Sequence, residues 1–141
     1  MTETASQPLL KARRNSVFVD NLQDLSKAVS ALSKFSGEFA VDAERASGFK
    51  YGQRAYLIQI ARRDGEIFLI DPAAISEAPR PEPFRELAKV LSSDTWILHA
   101  ATQDLACLAE LGLLPSRIID TELGSRIAGL ARVGLGATVE H

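Results

Sequence analysis

The chain has a single cysteine, Cys107, among its 141 residues. One thiol forms no internal disulfide and no Cys-rich zinc site, a usage that fits a reducing compartment, and the cytoplasm is the expected location. Long apolar runs are also missing. The opening stretch MTETASQPLLKARRN holds no apolar h-region, and no run elsewhere reaches the roughly 20 residues that cross a bilayer. Neither a signal peptide nor a membrane span is expected. An excess of one charge is lacking as well, since 16 Lys and Arg meet 18 Asp and Glu for a net charge of −2. A globally basic nucleic-acid binder is thereby excluded, and any anion-binding surface must be local.

What is present is the composition of one ordinary globular domain, with 46% hydrophobic and 24% charged residues. A chain of this length buries about two-thirds of the surface its unfolded form exposes. Residues 1–16 are expected to form a polar, disordered leader with Lys11, Arg13 and Arg14 in solvent, and residues 17–141 a single domain that acts as a monomer.

VFVD (17–20) is β-branched and aromatic, hence a strand, and Asp20 or Asn21 caps a helix whose inner face is Leu22, Leu25, Val29, Leu32 and Phe35, with Gly37 as its stop. EFAVDAE follows as a strand whose Phe39, Ala40 and Val41 suggest burial on both faces. After the loop RASGFKYGQR come AYLIQIAR and EIFLID, joined through Asp64-Gly65, a hairpin signal. DPAAISEAPRPEP reads as a loop, ending with Pro83 in the first turn of a helix that buries Phe84, Leu87 and Leu91. TWILHA is a strand, TQDLACLAELG a helix with Leu105, Leu108 and Leu111 inward and Gly112 as stop, and RIIDT a short strand or turn. TELGSRIAGL is a helix with Leu123, Ile127 and Leu130 inward, and VGLGATVEH reads as a helix cut short. The expected fold class is α/β, a mixed sheet in which a three-stranded antiparallel meander is joined by parallel strands, with helices on both faces and an incomplete C-terminal end.

Asp42 and Glu44 are two apart on a strand, so both carboxylates point to one side of the sheet. His99 closes a later strand, and Asp104 is placed one turn into the next helix. If that helix packs beside the Asp42 strand, three carboxylates converge and raise one another's pKa unless cations hold them ionised. Oxygen clusters of this kind suit hard cations such as Mg²⁺ or Mn²⁺, and two such ions form an arrangement for phosphodiester cleavage. The bland alternative, solvated acids or salt bridges to Arg45 and Arg54, stays open on spacing alone.

The order of these pieces resembles the ribonuclease D family of the DEDD 3′-5′ exonuclease superfamily, which has a ribonuclease H-like fold. Val41-Asp42-Ala43-Glu44 match its first motif, and His99-Ala100-Ala101-Thr102-Gln103-Asp104-Leu105 its second. Tyr56-Leu57-Ile58-Gln59-Ile60, Phe68-Leu69-Ile70-Asp71-Pro72 and Ile119-Asp120-Thr121 are similar to the elements around them. The resemblance implies that Asp42, Glu44 and Asp104 are catalytic acids and ligands of two Mg²⁺ or Mn²⁺ ions. It implies that His99 lines the site for a 3′-terminal nucleotide. The implied partners are single-stranded RNA 3′ ends, tRNA precursors among them. In the loop after the first motif, Phe49 and Tyr51 are suited to stack on bases while Arg45, Lys50 and Arg54 meet phosphates.

One family element has no match. The third motif is a Tyr followed four residues later by an Asp, yet Tyr51 and Tyr56 are the only tyrosines and both precede the second motif. Asp120 follows Asp104 too closely to replace it and reads as a structural residue at the sheet end. The chain is therefore expected to be a fragment that stops before its third motif. The rival readings are a non-catalytic nucleic-acid-binding module and a DNA-directed 3′-5′ exonuclease of the same fold.

Overall fold

The computed structural model describes residues 14–45 and 54–140. Most of the leader thus lies outside the described residues, but Arg14 is exposed, as expected, and still tied to the fold. Its guanidinium donates to the carbonyls of Arg62 and Gly65, and β1 (Ser16–Val19) begins two residues on.

Six strands form one sheet in the order β1-β4-β3-β2-β5-β6. β2 (Phe39–Arg45), β3 (Ala55–Arg62) and β4 (Ile67–Ile70) are the expected antiparallel meander, turning through Asp64 at φ 65°, while β1 runs parallel to β4, β5 (Trp96–Leu98) to β2, and β6 (Ile118–Asp120) to β5. The connections β1 to β2, β4 to β5 and β5 to β6 step across the sheet in one direction. Right-handed crossovers then carry their helices over the same face. These are α1 (Leu22–Leu32), α3 (Arg85–Leu91) and α4 (Leu105–Glu110), and their buried residues form one cluster with Phe39, Val41, Ile58, Ile60, Phe68, Ile70, Trp96 and Leu98 of the strands. The mixed α/β sheet is the architecture the sequence predicted, although these three helices share one face where helices on both were expected.

Several local expectations need correction. β2 is not buried on both faces, because Phe39, Val41 and Ala43 face the cluster while the alternate residue Ala40 is exposed. α1 is capped by Asn21, whose side chain accepts from the Asp24 N–H, and it ends at Ser33, so Phe35 lies beyond the helix and Leu22 at its first position, both exposed. Gly37, at φ 98°, instead makes the turn into β2. The Pro-rich loop contains a short helix, α2 (Pro72–Ile75), because Asp71 accepts from the N–H groups of Ala73 and Ala74 and Pro72 stands at the first position. The helix after β6, α5 (Thr121–Ile127), buries only Ser125, and Leu123 and Ile127 are exposed. A last short helix, α6 (Leu135–Val139), packs against it. Among the described residues no helix is long and apolar enough to cross a membrane.

Candidate active site

The site is built where β2 outruns β5. The two strands pair only at Phe39 with Trp96 and Ala40 with Ile97, and the Phe39 N–H donates to the Thr95 carbonyl at 2.9 Å. Since N–H directions alternate along a strand, the amide of Ala43 also points toward β5, but beyond its end. Asp104 stands beside that gap, where the Ala43 amide favours its charged form.

The chain reaches Asp104 by an abrupt route. After Leu98 and His99, Ala100 takes a left-handed conformation (φ 56°, ψ 52°), and Ala101–Gln103 form one 3-10 turn. Asp104 therefore caps α4 and does not sit one turn inside it as the sequence suggested. It is also not a solvated edge residue, being only 6% exposed. Burial, and then the charge of Asp42, push its carboxyl up to about 6. Arg45 opposes this, Glu44 adds to it, and the Ala43 amide partly offsets it.

Asp42 and Glu44 share the open face of β2, with Asp42 half-buried and Glu44 exposed. The Asp42 Oδ2 atom accepts from Gln59 Nε2 at 2.8 Å, and Gln59 is its register partner on β3. A role for Gln59 was missed in the sequence, although a polar residue inside YLIQI, opposite Asp42 across the hairpin, is the signal that identifies it. His99 is half-buried, and its Nδ1 lies 2.9 Å from Thr121 Oγ1. The Thr121 hydroxyl donates to the Leu98 carbonyl at 3.1 Å, so its oxygen is left to accept. Nδ1 is then the protonated nitrogen and Nε2 is available as an acceptor.

The structure thus places Asp104 within electrostatic reach of Asp42 and Glu44. Yet no three His, Cys, Asp or Glu side chains among the described residues stand as a ready-made metal cluster. The donor set still fits a hard cation: three carboxylates, one of them buried and held ionised only at a cost. Arg54 spends two guanidinium nitrogens on the carbonyls of Glu77 and Ser76, both at 2.8 Å, and lies over the Tyr56 ring. Phe49, Lys50 and Tyr51 lie outside the described residues.

Comparison with known proteins agrees with this geometry. A family model described as 3′-5′ exonuclease matches residues 16–141. Ribonuclease D of Desulfotalea psychrophila is 33% identical over 112 residues, covering 79% of this chain and 29% of that protein. A crystal structure of a protein from Bifidobacterium adolescentis superposes with a TM-score of 0.80 at 36% identity, covering 92% of this chain and 33% of the other. Escherichia coli RNase D, described as an exoribonuclease involved in structured RNA processing, gives a TM-score of 0.64 at 28% identity, covering 77% and 28%. The chain belongs to the 3′-5′ exonuclease family and is of the ribonuclease D type, on a ribonuclease H-like fold. It spans 28% to 33% of the length of these relatives.

Proposed function

We propose that the full-length protein is an exoribonuclease that hydrolyses nucleotides from RNA 3′ ends, tRNA precursors included, with Asp42, Glu44 and Asp104 as its ligands for two Mg²⁺ or Mn²⁺ ions. One observation carries this reading: a carboxylate placed under cover beside two others, with its pKa pushed up to about 6. Such an arrangement weakens the fold unless a cation offsets it. When bound, the ions supply Lewis-acid stabilisation of phosphate charge and an acidified water.

The protein's own residues have separate tasks. Gln59 fixes one Asp42 oxygen with a neutral amide and leaves the carboxylate its charge. The Ala43 amide favours the charged form of Asp104. His99, with Nε2 as acceptor, suits a hydroxyl of the 3′-terminal nucleotide.

The test is digestion of a single-stranded RNA by the full-length protein with Mn²⁺ or Mg²⁺. Asp42→Ala and Asp104→Ala are expected to lower kcat by about 10³-fold or more while circular dichroism stays that of the wild type. Wild-type-like activity in either purified variant overturns the reading. A second reading is a non-catalytic nucleic-acid-binding module on the same fold. RNA binding without digestion by the wild type would establish it, and a matched DNA strand separates RNA from DNA preference.

A further inference from the structure

Asp120 does more in this fold than cap a helix. Its Oδ1 accepts from the N–H groups of Glu122 at 2.9 Å and Leu123 at 3.3 Å, which is the ordinary task of the residue before α5. The same oxygen accepts from the Ala100 N–H at 3.1 Å, and Oδ2 accepts from the Ala101 N–H at 2.9 Å. Four amides from two separate segments, Ala100-Ala101 and Glu122-Leu123, therefore meet on one carboxylate. Burial disfavours its charge, yet these bonds outweigh burial and hold its pKa below the usual carboxylate value.

The anchored segment is the one that carries the site. Ala100 holds a left-handed conformation that residues with a β-carbon rarely adopt, so something outside the turn must select it. The 3-10 turn is then built on the two anchored residues, with the Gln103 N–H donating to Ala100 O at 2.9 Å and the Asp104 N–H to Ala101 O at 3.1 Å. On the other side of Ala100, Thr121, the residue after Asp120, holds His99 through Oγ1.

We infer that Asp120 is a positioning residue for the catalytic acids: by clamping the left-handed turn at Ala100 and Ala101, it sets where Asp104 meets Asp42 and Glu44. The inference rests on the reading of Asp104 as a cation ligand. A carboxylate is required because each oxygen has an amide donor to accept. Serine caps a helix well but has no second oxygen for Ala101, so it separates the two roles.

The experiment uses full-length protein, with Mn²⁺ affinity measured by calorimetry and the Mn²⁺ dependence of RNA digestion measured in parallel. Asp120→Ser is expected to keep the wild-type circular dichroism while losing about 10- to 100-fold in Mn²⁺ affinity. The Mn²⁺ needed for half-maximal digestion rises in proportion. Ala100→Gly in the same chain, which accepts the left-handed turn without an anchor, restores most of both. Should Asp120→Ser fail to fold, Asp120→Asn reads the same quantities, since its amide nitrogen cannot accept where an oxygen did. A lower unfolding temperature with unchanged Mn²⁺ affinity makes Asp120 a helix cap alone and overturns the inference. Asp104→Ala is the control. Undiminished Mn²⁺ binding in that variant overturns the ligand reading and this inference with it, whereas loss there and none in Asp120→Ser overturns this inference alone.

Discussion

The β2–β3 pair holds a buried cation at one end and a buried anion near the other, and their surroundings differ. Arg62, opposite Phe39, is 4% exposed. Its guanidinium donates to the Phe35 carbonyl and lies 3.8 Å from the centre of the Phe39 ring. It also reaches Ser93 Oγ at 3.4 Å and Asp94 at 3.6 Å. Burial lowers its pKa, and Asp94 opposes that. Asp104, at the far end, is about as buried, and there burial and two charges of its own sign outweigh the opposing charge of Arg45. An ion enclosed beside an opposite charge, a carbonyl and an aromatic face serves the fold, even though the Arg62 Nε atom has no hydrogen-bond partner. An ion enclosed beside like charges leaves a deficit for a ligand to fill.

That difference is breakable by mutation. Arg62→Ala removes a packed cation and strands the Phe35 carbonyl, and it is expected to cost about 3 kcal/mol in urea unfolding with Mn²⁺ affinity unchanged. A loss under about 1 kcal/mol would show that Arg62 is not a structural tie.

Asp104→Asn carries the opposite sign. Its side chain keeps the shape of the original, but the charge is gone. In the wild type the folded-state pKa of about 6 lies above the ordinary 3.8. The folded state therefore binds this proton more tightly, and its contribution to stability, full below about pH 4, is lost as pH rises through about 6. The metal-free variant is expected to be more stable than the wild type by about 2 kcal/mol near pH 7.5, with the gap closing toward pH 4. Saturating Mn²⁺ should narrow the gap at neutral pH by stabilising the wild type alone. Equal stability across that pH range would mean that Asp104 bears no electrostatic cost.

The smallest effect is expected for Gln59→Leu. Removing one amide hydrogen bond from half-buried, solvent-accessible Asp42 should shift thermal stability by about 1 kcal/mol, and a loss of about 3 kcal/mol would place Gln59 with the structural ties.

The fold was largely legible because its signals are local and periodic. Short apolar runs marked β2 and β3, Asp64-Gly65 the hairpin, and the spacing of Phe84, Leu87 and Leu91 the inner face of α3. The misplaced ends have equally local causes. Asn21 and Ser33 set α1, and the Asp71-Pro72 cap that makes α2 was read as loop. The inward faces expected for α5 fail because helical spacing names a stripe but not what covers it. At the candidate site the acids were visible as residue types. Their support was not, since Gln59 depends on cross-strand register and the grip of Asp120 on Ala100 and Ala101 on contacts between segments.

The early end of β5 bears on how this protein behaves toward other chains. An amide donor left bare along a strand is a place where a foreign strand can add. Beside Ala43 the buried Asp104 side chain occupies the place where a neighbouring strand would pair. Of the two ways to silence Asp104, asparagine leaves the gap closed and alanine opens it. The choice of an inactive variant is therefore also a choice about self-association.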